Sequence, residues 1–238
     1  MQLGKGVLMK IVEIFKSIEG EGIRAGYVAT FVRTFGCCCR CTYCDSMYAN
    51  EVQPDQILLD LTVDEIVAEC IKLKTPYVTL TGGEPLIQKD ANELICKLMQ
   101  NGFYVNIETS GAVDIGPYKE YVHKHLPGEL WNNLMFTVDY KSISSGCTDM
   151  MIKTNFSINL WDRDVVKFVV GSSKDLDQMK SMVKEIRKYS GCHIFVSPIF
   201  GDIEPKDIVE YLKDNDIFDV RMQLQIHKFI WNPNMKGV

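Results

Sequence analysis

The chain has 238 residues, enough for one sizeable hydrophobic core and short for two, so we expect a single domain spanning residues 1–238. Hydrophobic residues make up 46% of the sequence and charged residues 24%, which argues against extended disorder. The net charge of −5 does not indicate a nucleic-acid or membrane surface, so we expect a small-molecule substrate and neither nucleic acid nor membrane as a partner.

The sequence predicts a cytoplasmic protein. Residues Met1 to Lys10 mix glycine and lysine and contain no apolar stretch of signal-peptide length. No apolar run approaches the roughly 18 residues of a membrane-spanning helix. The nine cysteines, an odd number, fit a reducing compartment.

Two strands are predicted near the N-terminus, at 10–15 and 27–35, because both stretches are rich in β-branched and aromatic residues. The segment Ser17 to Gly22 (SIEGEG) lies between them. Its glycines would let the backbone approach a ligand closely, although a plain hairpin turn has the same spacing.

Five cysteines follow within eight residues, 37–44 (CCCRCTYC). Five thiols on one short loop cannot all be core residues, so they are expected to bind a metal centre. A zinc site would need four nitrogen or sulfur ligands, usually as two separated pairs, and no second C-x-x-C or H-x3-H follows this loop.

The spacing of Cys37, Cys41 and Cys44 is C-x3-C-x2-C. A cubane iron–sulfur cluster ordinarily takes four thiolates, so three leave one iron open to a reacting ligand. A site with three thiolates therefore favours a catalytic cluster over an electron carrier in which the protein ligates every iron. Cys38, Cys41 and Cys44 give an alternative, ferredoxin-like C-x2-C-x2-C spacing.

The rest of the chain predicts an α/β fold with a mostly parallel sheet. Residues 47–61 show no clean period and are interpreted as an excursion, and a capping box at Thr62 and Glu65 starts a helix. From Tyr77 onward, predicted strands begin every 26 to 31 residues, at 77–81, 103–108, 134–138, 165–170, 193–197 and 220–226. Helices are predicted between most of them, at 89–101, 174–189 and from Pro205. Six or seven strands are too few for a closed eight-strand barrel, so a partial barrel is expected.

Residues that can bind a ligand or cofactor follow consecutive predicted strands. The cysteine loop is succeeded by Gly82 to Pro85 (GGEP), then by Thr109 to Gly111 (TSG), then by Asp139 to Lys141 (DYK). In a parallel βα array the carboxyl ends of the strands share one edge, so these segments should meet there.

The cysteine spacing resembles the signature of radical S-adenosylmethionine (SAM) enzymes. The resemblance implies a partial (βα)6-type barrel and a [4Fe-4S] cluster on Cys37, Cys41 and Cys44, with SAM chelating the fourth iron. Gly36, Tyr43 and Asp45 fit the loop of these enzymes when Cys37 is the first ligand, which leaves Cys38 and Cys39 outside the cluster. The GGEP segment resembles the element that binds the amino group of SAM.

Four segments together resemble the 7-carboxy-7-deazaguanine synthase family: 17–22, 31–37 (FVRTFGC), 44–46 (CDS) and 108–111 (ETSG). This family converts 6-carboxy-5,6,7,8-tetrahydropterin to 7-carboxy-7-deazaguanine, with loss of ammonia, in 7-deazapurine (queuosine) biosynthesis. The resemblance runs from Val12 to the tail Lys236 to Val238 and is strongest over 12–46. It also implies a flavodoxin- or ferredoxin-type reductant and a homodimer.

The resemblance implies three groups of site residues. Ile18, Glu19, Gly20, Arg33 and Thr109 would bind the pterin, with Arg33 meeting its carboxylate through a planar fork. Tyr43, Cys44, Asp45, Gly83, Glu84, Gly111, Asp139, Tyr140 and Lys141 would bind SAM. Cys37, Cys41 and Cys44 would hold the cluster, and Ser46 would coordinate Mg²⁺, or else be an ordinary polar loop residue.

The sequence departs from the family at two places. Position 19 is usually Gln, and Glu19 can match its hydrogen bonding only if its pKa is raised. Residues 139–141 also differ from the usual pattern.

Two alternatives remain open. A glycyl-radical activase carries the same cysteine spacing, but it usually follows the last cysteine with a His-Asn pair rather than Asp45-Ser46. A non-catalytic iron–sulfur carrier or zinc-binding module would account for the cysteines alone.

Overall fold

The computed structural model describes residues 8–232 and 235–237. Val238, the end of the tail that resembles the family, lies outside the described residues. The strands are β1 Met9–Ile18, β2 Val28–Thr34, β3 Leu59–Leu61, β4 Tyr77–Gly82, β5 Tyr104–Thr109, β6 Leu134–Tyr140, β7 Val165–Val170, β8 His193–Pro198 and β9 Val220–Met222. The helices are α1 Val63–Leu73, α2 Ala91–Gln100, α3 Gly116–His125, α4 Ser173–Ile186, α5 Pro205–Asp214 and α6 His227–Ile230.

The nine strands found in the described residues form one sheet in the order β3-β1-β2-β4-β5-β6-β7-β8-β9. Strands β2 and β4 to β9 are mutually parallel, whereas β1 is antiparallel to both β2 and β3. The edge strands β3 and β9 do not pair with each other, so the sheet stays open. The expected α/β class and partial barrel are confirmed.

Local signals in the sequence explain where the helices start. Thr62 accepts a hydrogen bond from the Glu65 backbone while the Glu65 carboxylate returns to the Thr62 backbone, the predicted capping box of α1. Ser172 caps α4 by accepting from the Asp175 backbone. No helix within 8–232 or 235–237 is long and apolar enough to cross a lipid bilayer.

Strand alternation separates the core from the site. On β4, Val78 and Leu80 point into the helix-covered core, where both are buried. Thr79 and Thr81 point to the opposite face and contact carboxylates there. The inner face of the curved sheet is therefore polar at mid-height, and it lies below the loops that follow the strands.

The structure also differs from the expected boundaries. The hairpin strand β1 extends to Ile18, so the segment 17–22 begins inside a strand. The excursion contains β3, which pairs with the start of β1. Strand β9 ends at Met222, before the expected end at 226, and the side-chain amide of the next residue, Gln223, donates to the Glu21 carboxylate.

Candidate active site

The cysteine loop leaves the carboxyl end of β2 and is held at both sides. It starts at Gly36, whose φ of +96° favours glycine. The Gly36 amide donates to the Ala49 carbonyl at 2.7 Å, and the Thr42 amide donates to the Ser145 carbonyl, beyond β6, at 3.1 Å. The loop thus spans the mouth of the sheet from β2 to β6.

The sulfurs of Cys37, Cys38 and Cys39 all lie within 4.8 Å of one another. The Cys39 side chain is buried, and its sulfur also contacts that of Cys41. Hydrogen bonds from the neighbouring thiols, first that of Cys37, lower the pKa of Cys39. All five thiols of the loop are free, a donor set that suits an iron–sulfur cluster.

Cys44 stands slightly apart, with two polar side chains directed at its sulfur. The Ser46 hydroxyl and the Asn50 amide nitrogen are each 3.9 Å from Cys44 Sγ. Ser46 Oγ also lies 3.4 Å from Asp45 Oδ1, so two hard oxygens adjoin the last cysteine.

The last residue of β4, Gly82, and the next residue, Gly83, let the backbone pass directly under the cysteine loop. A Cβ on Gly82 would lie 2.2 Å from the Thr34 carbonyl oxygen, and one on Gly83 would lie 2.1 Å from the Gly36 carbonyl oxygen. Both contacts are shorter than any side chain tolerates, so the GGEP segment requires glycine here.

Glu84 connects the ends of β4 and β5. Its carboxylate is fully buried and accepts hydrogen bonds from the Leu86 amide, the Thr109 hydroxyl, and both the amide and hydroxyl of Ser110. Burial raises its pKa, and the Ser110 donors oppose this rise. Glu84 was expected to contact SAM and Thr109 the pterin. In the structure, these two side chains are hydrogen-bonded to each other.

The segment after β6 approaches Gly111 closely. A Cβ on Gly111, where φ is +80°, would lie 2.6 Å from the Asp139 carbonyl oxygen. The Lys141 ammonium donates to Asp139 Oδ2 at 2.8 Å. The Tyr140 ring packs in the core against Phe156 and Phe168.

Tyr43 points inward from the cysteine loop. Its hydroxyl is buried without a hydrogen-bond partner among the described residues. Burial raises its pKa, and Lys141 opposes the rise, which places this hydroxyl beside the charged groups after β6. The loop is therefore packed down onto the interior of the sheet.

A chain of charges crosses the interior. Lys167 of β7 pairs with Glu21 at 3.1 Å and with Asp139 at 3.3 Å. Burial alone would lower the pKa of Lys167, but Asp139 and Glu21 outweigh burial and raise it. Glu21 also accepts from Ser197 at 2.9 Å and from Gln223 at 3.2 Å, so the loop after β1 is tied to β7, β8 and the residues after β9.

Glu19 is a buried carboxyl with few partners. It is 3% exposed, and Thr79 of β4 donates a hydrogen bond to it. Burial, and then repulsion by Glu108, raises its pKa to about 7. Near neutral pH, Glu19 is therefore partly protonated and can donate as well as accept, as glutamine does.

One side of the Arg33 guanidinium group is hydrogen-bonded within the protein. Its Nε donates to Glu13 Oε1 at 2.7 Å, and the Tyr48 hydroxyl donates to the same oxygen at 2.9 Å. The Arg33 guanidinium also lies over the rings of Phe15 and Tyr48. Its two terminal amino groups make no hydrogen bond to the described part of the chain, so the outer fork can meet an anion.

The structure brings the predicted segments to one edge, as expected for parallel strands. Sequence reasoning missed Glu13, Glu21, Asn50 and Lys167. Lys167 could have been found, since it is the one charge in an apolar strand, VVKFVV. No sequence pattern points to Asn50, because its position depends on the 3-10 turn Met47–Ala49 within the segment 47–61.

The fold and the cysteine loop define a class of protein, the radical SAM enzymes. A profile described as the radical SAM superfamily matches residues 31–137. The crystal structure of QueE from Escherichia coli has a similar fold, with a TM-score of 0.68 at 21% identity, covering 91% of this chain and 93% of that one.

Relatives that match over nearly their whole length identify the family within this class. A 7-carboxy-7-deazaguanine synthase from Clostridium acetobutylicum is 40% identical over 230 residues, covering 96% of this chain and 99% of the relative. One from Chlorobaculum tepidum is 36% identical over 232 residues, covering 97% of each. The chain belongs to the 7-carboxy-7-deazaguanine synthase family.

Proposed function

We propose that this chain converts 6-carboxy-5,6,7,8-tetrahydropterin to 7-carboxy-7-deazaguanine with loss of ammonia, in 7-deazapurine (queuosine) biosynthesis. The observation that carries the proposal is the position of the cysteine loop over a polar interior that contains Glu19 and the outer fork of Arg33. A non-catalytic iron–sulfur electron carrier does not need a polar interior of this kind. The polar interior and the full-length relatives together favour a pterin substrate over the large protein on which a glycyl-radical activase would act.

The thiols and the glycine-rich turns suit the expected cofactors. Cys37, Cys41 and Cys44 would hold a [4Fe-4S] cluster, and SAM would lie beside it against the backbone of the closely packed turns at Gly83 and Gly111. When bound, the cluster and SAM would supply one-electron chemistry that removes a hydrogen atom from the substrate.

The remaining residues expected at SAM divide by what their side chains offer. Lys141 and Asp139 are charged and largely buried, so they suit the amino-acid part of SAM. Tyr43 offers a buried hydroxyl without a partner in the described chain. Tyr140 offers its backbone, and Glu84 acts by fixing the two strand ends.

The substrate would lie between the cysteine loop and the loop after β1. The Arg33 fork would bind its carboxylate, because Glu13 occupies Nε and leaves the terminal amino groups free for two parallel hydrogen bonds. Glu19, with Ile18 and Gly20 beside it, would meet the polar edge of the pterin ring. The charge chain through Lys167 holds these loops together and reduces water access.

Several features of the proposal rest on the resemblance. Ser46, with Asp45 next to it, would supply an oxygen ligand for Mg²⁺, which takes oxygen ligands and keeps several waters. We also propose a cytoplasmic homodimer in which residues 1–238 form one domain. A flavodoxin- or ferredoxin-type protein would deliver the electron.

Anaerobic incubation with SAM, reductant and the carboxytetrahydropterin tests the proposal. Mass spectrometry is expected to detect the deazaguanine product, and the EPR spectrum of the reduced cluster should change on adding SAM. An unchanged spectrum would point to a sealed cluster. A changed spectrum without product would leave the cluster assignment standing and reject the substrate.

A further inference from the structure

Asn50 lies where the chain returns to the start of the cysteine loop. It follows a 3-10 turn, Met47–Ala49, and its amide donates to the Met47 carbonyl at 2.8 Å. The preceding Ala49 accepts from Gly36, so the turn is fixed against the beginning of the loop. Asn50 is 9% exposed, which makes it a buried polar side chain at the edge of the site.

The two ends of the Asn50 amide have different surroundings. Nδ2 is directed at Cys44 Sγ, 3.9 Å away. Oδ1 is buried and has no hydrogen-bond partner in the described chain. It lies next to Gly83, since a Cβ on that glycine would come within 2.5 Å of it.

This orientation is the one that chemistry requires. A ligating thiolate accepts hydrogen bonds and repels a carbonyl oxygen, so the NH₂ group must face Cys44. The oxygen then faces the backbone of Gly83. A buried carbonyl without a donor destabilises the protein, and a donor that arrives with the ligand relieves this cost.

We propose that Asn50 is a positioning residue that joins the two cofactors, donating a hydrogen bond to the ligating thiolate of Cys44 and accepting one from the amino group of SAM at Gly83. The inference rests on the cluster and SAM sites of the proposed function. A donor to a ligating sulfur withdraws electron density and makes the cluster easier to reduce. An acceptor for the N–H groups of that amino group strengthens SAM binding.

Two substitutions separate the two hydrogen bonds. Asn50→Ala removes both, so the cluster should have a more negative midpoint potential and SAM should bind about tenfold more weakly. Asn50→Asp keeps an acceptor and the side-chain volume but lacks the donor. It should shift the potential in the same direction and retain SAM affinity. A tenfold change in a one-electron equilibrium corresponds to about 59 mV.

The matched control is Asn92→Ala, because Asn92 also has a buried oxygen without a partner but is located on α2, outside the sheet. Iron content, redox titration of the reconstituted protein and EPR-monitored SAM titration are the readouts. Equal potentials and affinities in Asn50→Ala and the unaltered protein would overturn the inference, as would the same shifts in Asn92→Ala. If Asn50→Ala fails to hold iron, the same two measurements on Asn50→Asp decide.

The two failures can be told apart. If the unaltered protein shows no SAM-dependent change in its EPR spectrum, the proposed function fails. If that change is present and Asn50 variants match the unaltered protein, the role of Asn50 alone fails.

Discussion

Replacing Glu19 with Gln should make the protein more stable at alkaline pH and leave its stability unchanged at acidic pH. Glu19 is buried, and the one hydrogen bond to its carboxylate from the described side chains comes from Thr79. Glutamine has nearly the same shape and keeps an oxygen that accepts from Thr79. The substitution therefore changes charge and little else.

The magnitude follows from the pKa of Glu19. Burial, and then repulsion by Glu108, raises this pKa from 4.5 to about 7. The folded chain therefore binds the proton more tightly than the unfolded chain. Its free energy of unfolding falls as the pH rises from 4.5 to about 7, and the contribution of Glu19 is constant above that. The full shift is worth roughly 3 kcal/mol, at about 1.4 kcal/mol for each pKa unit.

Urea unfolding of anaerobically purified protein at pH 5 and pH 8 would measure the effect. Glu19→Gln should gain roughly 3 kcal/mol at pH 8 and less than about 1 kcal/mol at pH 5. Exposed Glu120 on α3 supplies the control substitution, which should have no such pH dependence. An equal effect of Glu19→Gln at both pH values would refute the reasoning. In turnover, kcat/KM of the unaltered protein should fall above about pH 7 and that of Glu19→Gln should not.

Three further substitutions test other contacts. Cys41→Ala should lose the iron and the brown colour of the cluster, whereas Cys38→Ser should keep a full iron complement by chemical assay; the reverse result would reassign the ligands. Glu13→Ala should free Arg33 from its fixed orientation and raise KM for the pterin about tenfold with little change in kcat, and a fall in kcat alone would argue against it. Lys119 on α3 forms a buried ion pair with Asp164, so Lys119→Met leaves that carboxylate without its counter-ion, and urea unfolding should show a loss of about 3–5 kcal/mol.

The sequence predicted the strands well because most of them carry a strong local signal. Strand β7, VVKFVV, and strand β4, YVTLTG, are β-branched runs followed by turn residues. The short β3 was not predicted. Its three residues have no period of their own, and they form a strand because β1 offers a free edge to pair with. Helix α3 begins with Gly-Pro and has a mixed face, so its pattern was weak.

The edge at which the site lies was predictable from topology, and the side-chain contacts were not. Parallel strands had to bring the cysteine loop and the GGEP segment together. That Glu13 would hold Arg33 by its Nε depends on the register of β1 against β2, in which Glu13 is opposite Arg33. That Glu84 would bind Thr109 depends on the spacing of β4 and β5. Such contacts arise between residues distant in sequence and leave no periodic pattern.

The surroundings of two buried carboxylates explain why one belongs to the fold and the other to the site. Glu84 accepts four hydrogen bonds, which replace the water it lost, so it stabilises the junction of β4 and β5 without any ligand. Glu19 accepts one from a described side chain, Thr79, and faces the repulsion of Glu108. A buried carboxyl with so few partners weakens the folded state once it ionises, and a substrate that both donates to it and accepts from its protonated form would relieve that cost. The position of Glu19 in the interior of the sheet is therefore better explained by ligand binding than by folding.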